Sequence, residues 1–147
     1  MHFRVFYLIN RSGECVSSTS AVSMSAKDIC EQMLDRLHSE DDYLGIIDIG
    51  DNTLQVLPEP ENQRYYVEVP IEAAKASYGR HVDRTELEEL IRSLPEAFNE
   101  KTIPGLTYRP WSRRLEAYRD KNTPRRNKEN TNNAQSRRVP DRQPIRS

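Results

Sequence analysis

Residues 43–57 read YLGIIDIGDNTLQVL, and this stretch decides the fold. Two runs rich in aliphatic residues flank Gly50, Asp51 and Asn52, which are residue types that tolerate a positive φ or bond to their own backbone. Apolar runs joined by such a turn are typical of a β-hairpin. The sequence therefore predicts a strand over 43–49 and its antiparallel partner over 53–57.

Further strands extend this hairpin into a sheet. Residues 64–69 predict a third strand, in which Val67 lies on one face while Tyr66 and Glu68 share the other. The nearly continuous apolar run at 3–9 predicts another strand. Because side chains on both of its faces are apolar, we expect this strand at the centre of the sheet.

Two helices are predicted from their capping signals. Ser25 is followed three residues later by Asp28, and apolar residues then recur at helical spacing as far as Leu37. Asp83 and Glu86 have the spacing of a capping box at the start of a second helix. The resulting order, β–α–β–β–β–α, predicts an α+β fold with a mainly antiparallel sheet and helices on one face.

Three segments carry a weaker pattern. Residues 14–24 predict a loop or a weak strand, and residues 101–111 predict an irregular segment. Residues 71–81 predict a short helical turn followed by a loop at Gly79. None of these segments is counted among the principal elements of the expected fold.

Charge divides the chain into two parts. Residues 1–111 contain 11 Lys and Arg against 19 Asp and Glu, a net charge of −8, whereas residues 112–147 contain 11 against 4, a net charge of +7. The second part is rich in Arg, Asn, Pro, Gln and Ser, which bury too little to offset the entropy of ordering. We therefore predict an acidic α+β domain at 1–111 and a basic tail at 112–147, disordered from about residue 120.

Histidine is the residue most often used in acid–base catalysis, so its placement bears on whether the chain is an enzyme. His2 lies at the terminus, His38 at a helix end, and His81 close to Asp83, which is better explained as a helix cap. A Gly-x-Ser-x-Gly nucleophile elbow is absent from the sequence. The sequence therefore predicts a protein without catalytic residues. A pocket that joins His81 to a carboxylate other than Asp83 would favour an enzyme instead.

Cofactor and metal patterns are also missing from the sequence. The five glycines do not form a phosphate-binding loop between a strand and a helix. The two cysteines and three histidines lack the spacing of a zinc site. Residues 48–52 faintly resemble a calcium loop, but the glycine is misplaced and the closing Glu is missing, so a hairpin turn is favoured. We expect neither a cofactor nor a metal.

The cysteines and the hydropathy indicate the compartment. Cys15 lies in a polar loop, and Cys30 lies on the apolar side of the first helix. Two cysteines are too few for a disulfide framework, which favours a reducing compartment, although a Cys15–Cys30 bridge stays an alternative. Neither a signal peptide nor a membrane span of roughly 20 apolar residues is present, so the sequence predicts a cytoplasmic protein without membrane contact.

Acidic side chains follow the predicted hairpins. A net charge of −8 over 111 residues favours electrostatic steering toward a basic protein. An aromatic residue among these acids would serve as an anchor of the kind that interfaces favour. The predicted partner contacts are Asp48, Asp51, Glu59, Glu61, Tyr66 and Glu68.

The tail predicts a different kind of partner. Spaced Arg pairs in a disordered arm suit sequence-independent contact with nucleic-acid phosphates. Only Tyr118 is available there to stack on bases, and four acids interrupt the charge, so a solvated tail, or a tail folded back on the acidic domain, is an equal alternative. The candidate nucleic-acid contacts are Arg125, Arg126, Lys128, Arg137 and Arg138.

Several short motifs lie between residues 48 and 111: DIGDNTLQ at 48–55, YYVEVP at 65–70, the leucine-bearing helix, PEAF at 95–98, and Trp111. With these motifs, residues 48–111 resemble bacterial immunity proteins. These families are small cytosolic α+β proteins that neutralise the toxin domains of polymorphic or contact-delivered toxin systems. The resemblance implies tight binding through an acidic surface to a cognate toxin, often a basic nuclease or deaminase.

Two hypotheses from different classes follow. The first is a non-enzymatic protein-binding module, most specifically an immunity or inhibitor protein that occludes the active site of a basic toxin. The second is a nucleic-acid-associated accessory protein that binds RNA or DNA through its basic tail.

Overall fold

A computed structural model describes residues 1–111 of the 147-residue chain. Eight strands in this part of the chain form one antiparallel sheet. They are β1 (His2–Ile9), β2 (Glu14–Val16), β3 (Val22–Ser25), β4 (Tyr43–Ile47), β5 (Thr53–Glu59), β6 (Arg64–Ile71), β7 (Ala76–Val82) and β8 (Thr107–Pro110). The predicted α+β class and antiparallel sheet are confirmed.

The strand order is β2-β1-β4-β5-β6-β7-β8, and β3 pairs with β1 as well. β3 pairs with the first half of β1 and β2 with its last residues, while β4 lies on the other side of β1. β1 is therefore paired on both sides, although it lies second from one edge of the sheet and not at its centre, where the sequence predicts it. From β4 to β8 each strand pairs with the next one along the chain, so successive turns alternate between the two ends of the sheet.

The first helical segment begins at Ser25, as predicted. The Ser25 hydroxyl accepts a hydrogen bond of 3.1 Å from the backbone N–H of Asp28. The segment starts as α1 (Ala26–Asp28) and continues as a π-helical turn at Ile29–Met33 and a 3-10 turn at Leu34–Arg36. The predicted helix is present, although its hydrogen bonding departs from that of a regular α-helix after the first turn.

The second helix, α2 (Arg84–Arg92), has the capping box that the sequence predicts. The Asp83 carboxylate accepts a hydrogen bond from the Glu86 N–H, and the Glu86 carboxylate accepts one from the Asp83 N–H, both at 2.8 Å. Val82 and Leu87, which flank the cap, are both buried. A capping residue of this kind contributes about 1 kcal/mol to stability.

Both helical segments pack on one face of the sheet and form the main core with it. Alternate strand residues such as Val5, Ile46 and Val67 meet Ile29 and Leu87 from the helices. All five are fully buried. Helices on a single face, with Val67 on the core side of its strand, agree with the prediction.

The opposite face carries a smaller apolar cluster formed by Phe6, Tyr43 and Ile47. The ring centroids of Phe6 and Tyr43 lie 6.2 Å apart. The Phe6 ring occupies the space above Gly45, where any Cβ would collide with it. This glycine is therefore required by packing rather than by a turn.

Two strands, β7 and β8, differ from the prediction, whereas β2 and β3 agree with the weak-strand alternative. β2 and β3 occupy the segment predicted as a loop or a weak strand, and β8 lies in the segment predicted to be irregular. The largest error is β7, because the sequence predicts a loop around Gly79 and the strand runs straight through it. The Tyr66 ring fills the space that a side chain at Gly79 would need. The predicted helical turn before this strand is present as a 3-10 turn at Glu72–Ala74.

Residues 1–16 and 21–110 form one compact unit. Outside it, Ser18–Ser20 forms a 3-10 turn in which the Ser20 N–H donates to the Ser17 carbonyl at 3.0 Å. Among residues 1–111, the helices are too short or too polar to cross a membrane. The tail predicted at 112–147 lies outside the described residues.

Cys15 and Cys30 are free thiols, so the alternative bridge between them is not formed in this structure. Cys30 is buried in the core, as its position on the first helix predicts. Burial raises the pKa of the Cys30 thiol, with smaller opposing effects from nearby charges. Cys30 therefore acts as a small apolar residue of the core.

Candidate functional site

The turn between β4 and β5 is held from inside by Asp48. One oxygen of its carboxylate accepts hydrogen bonds from the backbone N–H groups of Gly50 (2.9 Å) and Asn52 (2.7 Å). The other oxygen accepts bonds from the side-chain amide of Asn52 (3.3 Å) and from the distant backbone N–H of Phe98 (2.7 Å). The turn is thereby tied to itself and to the loop that follows α2.

Asp48 consequently does not belong to an exposed contact surface. The residue is only 1% exposed, and its carboxylate is directed at four N–H groups of its own chain. The prediction that Asp48 contacts a partner is therefore corrected, because a partner does not reach a carboxylate at this depth. The hairpin turn favoured over a calcium loop agrees with this geometry.

Two neighbours of Asp48 are instead presented to solvent. Ile49 is 71% exposed, the highest exposure of any large apolar residue within residues 2–111. Its backbone N–H donates to the Glu96 carbonyl at 3.3 Å, which ties the turn to the loop after α2 a second time. The Asp51 side chain is 78% exposed and pairs with Arg4 of β1. We call Ile49, Asp51 and Glu96 the hairpin tip.

The other end of β5 holds a group of paired side chains. The Glu59 carboxylate lies 2.7 Å from Nδ1 of His81 and 3.0 Å from Nε of Arg64. His81 thus pairs with a carboxylate other than Asp83, which serves as the helix cap, as predicted. All three residues of the group lie at the protein surface.

Tyr66 lies next to this group, on the sheet face opposite the helices. Its ring centroid is 4.9 Å from that of His81, and the Arg109 guanidinium carbon lies 5.6 Å from it. These contacts depend on Gly79, because the Tyr66 ring crosses β7 where a side chain would otherwise stand. Tyr66 is therefore held by a histidine, an arginine and a glycine that come from two other strands.

The other residues predicted to contact a partner lie in different parts of the molecule. Glu61 is exposed on the 3-10 turn Pro60–Asn62, near Glu59. Glu68 is on the same sheet face as Tyr66 but is only 3% exposed, so a carboxylate predicted to meet a partner is buried instead. Arg125, Arg126, Lys128, Arg137 and Arg138 lie outside the described residues.

The structure therefore separates residues that the sequence groups together. Glu59, Glu61 and Tyr66 lie near one end of β5, and the hairpin tip lies at its other end. A strand of seven residues places them roughly 20 Å apart. A single partner surface would have to span this distance to touch both groups.

The carboxylates at the surface also differ in whether they are paired with other side chains. Tyr7 donates a hydrogen bond of 3.0 Å to Glu14, which also pairs with Arg36. The Arg36 guanidinium lowers the pKa of Glu14, while burial and then Glu14 raise the pKa of Tyr7. Several exposed carboxylates of residues 1–111, by comparison, form neither a hydrogen bond nor an ion pair: Glu31, Asp41, Glu61, Glu72, Glu89 and Glu96.

Sequence reasoning misses two residues of these surfaces, Ile49 and Arg109, and it does not identify the carboxylate that pairs with His81. Ile49 looks like an ordinary strand residue, and only its position beside the Asp48 turn exposes it. His81 and Arg109 lie on β7 and β8, two strands that the sequence does not predict, so their register with Tyr66 stays hidden. Among residues 1–111, His, Cys, Asp and Glu form no group that could hold a metal ion.

Comparison with known proteins adds no relative: no family model, no curated protein and no solved structure matches the chain. The resemblance to immunity proteins therefore stays a prediction.

Proposed function

We propose that the chain is a non-enzymatic protein-binding module, most specifically a bacterial cytoplasmic immunity or inhibitor protein that neutralises a basic toxin of the nuclease or deaminase type. The observation that carries the proposal is the 71% exposure of Ile49 on a turn that is otherwise fixed by internal hydrogen bonds. A large aliphatic side chain that is already exposed on an ordered turn can be buried by a partner without any rearrangement of the turn. Full burial of such a side chain contributes about 1.5–3 kcal/mol.

The tip is ordered before any partner arrives. Four hydrogen bonds to Asp48 and the bond from Ile49 to Glu96 fix its backbone. Association costs less entropy when the contacting loop is already in its bound conformation. A rigid tip with one apolar side chain suits insertion into a pocket on the partner.

The charge around Ile49 indicates the chemistry of that partner. Asp51 and Glu96 flank it, and the 111-residue part of the chain carries a net charge of −8. A pocket lined by apolar side chains and rimmed by Lys or Arg complements this arrangement. Basic active sites of nucleases and deaminases that act on nucleic acid have such a rim.

Affinity capture with a matched pair of variants tests the proposal. The full-length chain, Ile49→Ser and Val22→Ser are used as bait in native cell lysate at low and moderate salt, with and without nuclease. Val22 is also an exposed aliphatic residue, at 42%, but it lies on β3, which is separated from β4 by β1. We expect the wild type and Val22→Ser to recover one stoichiometric basic protein in the presence of nuclease, and Ile49→Ser to lose it. Equal recovery by both variants would refute a binding role for the tip.

The same capture experiment distinguishes the nucleic-acid hypothesis from the immunity-protein hypothesis. Replacing Arg125, Arg126, Lys128, Arg137 and Arg138 with Gln in the full-length chain lowers the net charge of residues 112–147 from +7 to +2 without shortening the chain. The immunity function predicts that this variant keeps the protein partner. If nucleic acid is recovered by the wild type and lost by this variant, the accessory-protein function is supported instead.

A further inference from the structure

Arg4 lies beside the hairpin tip and is bound to it from the neighbouring strand. Its Nη2 donates a hydrogen bond of 2.9 Å to the Asp48 carbonyl, which belongs to the peptide group that joins Asp48 to Ile49. The same nitrogen donates to the Asp51 carboxylate. Because β1 pairs with both β3 and β4 at this position, the backbone of Arg4 is fixed on both sides. A partner that covers Ile49 therefore meets the Arg4 guanidinium as well.

Most of the hydrogen-bonding capacity of this guanidinium is unused. A guanidinium has five N–H donors, and only those of Nη2 are engaged, so Nε and Nη1 of Arg4 have no acceptor within residues 1–111. The Arg4 side chain is 47% exposed. The second oxygen of the Asp51 carboxylate is also without a hydrogen bond in this part of the chain. A cation and a carboxylate thus lie side by side at the surface, and each can bind a further group.

The stability of the turn explains this ion pair poorly. Both side chains are well exposed, and exposed ion pairs contribute little to folding. Asp51 has a φ of 67°, a left-handed conformation that glycine adopts more easily than Asp. A glycine would therefore suit the backbone of the turn better but would supply no carboxylate. The charge pattern at this position is better explained by recognition of a partner.

We propose that Arg4 is a specificity residue of this surface and pairs with a carboxylate of the partner protein, next to a partner Lys or Arg that pairs with Asp51. The inference rests on the proposed function, because it assumes that the partner covers Ile49. A covered guanidinium without an acceptor would leave a charge unpaired, and a wholly basic pocket rim would place like charges opposite Arg4. The partner that fits is a protein whose pocket rim carries both charges.

The same pattern favours a protein over nucleic acid at this surface. A nucleic-acid strand offers phosphates to Arg4 but no cation to Asp51. Residues 1–111 also carry a net charge of −8, which repels a strand of phosphates. A protein surface can offer a carboxylate and a cation within the distance that separates Arg4 from Asp51. The inferred partner group is therefore a protein carboxylate.

The affinity of Arg4→Gln, in the full-length chain, for the purified basic protein from the capture experiment tests the proposal by its sign. If acids alone direct binding, removing a cation should strengthen binding to a basic protein. We expect Arg4→Gln instead to weaken binding about tenfold, because a partner carboxylate loses its donor. Arg64→Gln removes an equal charge from the exposed pair with Glu59 and should not weaken binding.

A double-mutant cycle separates recognition from mere support of the turn. Exposed Asp and Glu residues of the captured protein are changed one at a time to Asn or Gln, and each variant is measured with the wild type, Arg4→Gln and Arg64→Gln. We expect one carboxylate whose loss weakens wild-type binding about tenfold and has little further effect on Arg4→Gln. A residue that only supported the turn would couple to no single carboxylate of the partner.

Exchanging the two charges gives an independent test at constant composition. Arg4→Asp/Asp51→Arg keeps the net charge and reverses the pattern, so we expect a loss of at least about tenfold in affinity. The matched exchange Glu59→Arg/Arg64→Glu, at the far end of β5, should bind like the wild type. The amide resonance of Phe98 shows whether the turn keeps its bond to Asp48. If that resonance moves, the cycle with single variants decides.

Each other outcome overturns a stated part of the account. If Arg4→Gln binds as tightly as the wild type or more tightly, or if no partner carboxylate couples to it, Arg4 is not a specificity residue. Equal losses in both exchange variants would have the same meaning. Loss of binding in Ile49→Ser with wild-type binding in Arg4→Gln overturns this inference alone. Unchanged binding in Ile49→Ser refutes the proposed function itself.

Discussion

The two ends of β5 use their acidic residues in opposite ways. At the turn before the strand, Asp48 is buried and its four hydrogen bonds come from backbone N–H groups and one side-chain amide. At the far end, Glu59 lies near the surface and is bound by the side chains of His81 and Arg64. A carboxylate surrounded by backbone N–H groups fixes a loop, whereas a carboxylate bound to side chains positions groups that stay accessible.

This difference changes how the acidic surface should be interpreted. Net charge alone suggests that every acid on the hairpins is available to a partner. The structure assigns Asp48 to the interior of the turn, and that role presents Ile49 to solvent. The contribution of Asp48 to binding is therefore indirect, through the shape of the tip.

The largest effect is expected from removing the buried carboxylate. Asp48→Ala leaves the backbone N–H groups of Gly50, Asn52 and Phe98 without their acceptor, so unfolding should become easier by about 3 kcal/mol. Asp51→Ala removes only an exposed ion pair and should cost less than about 0.5 kcal/mol. Urea denaturation of both variants measures the two losses in the free energy of unfolding. Similar losses would mean that the two acids do not differ in role.

Two glycine-to-alanine substitutions, one near each end of β5, compare how much room the packing leaves for an added methyl group. In Gly79→Ala the new methyl group collides with the Tyr66 ring and with the Val67 carbonyl oxygen, so a loss of about 1–3 kcal/mol is expected. In Gly50→Ala the nearest atoms lie at an ordinary 3.7 Å, so stability should change by less than about 0.5 kcal/mol. Thermal unfolding and the His81 resonances measure both effects. Displacement of the His81 signals in Gly50→Ala, and not in Gly79→Ala, would contradict the assignment.

The carboxylate of Asp42, in a second loop, should make the free energy of unfolding depend on pH in the acidic range. Burial alone would raise the pKa of Asp42, but hydrogen bonds from the backbone N–H groups of Ser39, Asn10 and His38 lower it overall. A depressed folded pKa contributes stability above the unfolded value of about 3.9, and this contribution is lost as the pH falls toward the folded value. Urea midpoints between about pH 2.5 and pH 6 should therefore fall less steeply for Asp42→Asn than for the wild type. Parallel curves would show that Asp42 has no such role.

A small change in stability is expected when Glu59 loses its charge. Glu59→Gln weakens contacts to two partly exposed side chains, so the free energy of unfolding should fall by less than about 1 kcal/mol. The same variant should move the NMR resonances of the His81 ring, because Nδ1 loses its carboxylate partner. A large loss of stability with unchanged His81 resonances would place Glu59 with the structural carboxylates.

What the sequence predicts well is local. The β4–β5 hairpin, the Ser25 cap and the Asp83–Glu86 capping box all depend on residues within a few positions of each other, and the structure contains all three. β7 is not predictable in this way, because Gly79 serves a tyrosine that is thirteen residues earlier in the chain. From its neighbours in the sequence alone, Gly79 is predicted to lie in a loop.

The candidate site could likewise be predicted from the sequence only in part. Asp48 is buried because the Phe98 N–H, fifty residues away, completes its hydrogen bonding, and neither residue indicates this alone. The partner of His81 is likewise set by the register of three strands. The acidic character of the surface could be predicted from the sequence, whereas the separation of its acids into two ends could not.

Association kinetics with the captured basic protein test the proposed interface most directly. The double variant Asp51→Lys/Glu96→Lys changes the charge beside Ile49, and Glu72→Lys/Glu89→Lys makes an equal change in exposed acids elsewhere. We expect the tip variant alone to associate about tenfold more slowly at low salt and to lose much of the salt dependence. Equal slowing in both variants would show that total charge, and not the hairpin tip, directs binding, and would contradict the proposed interface.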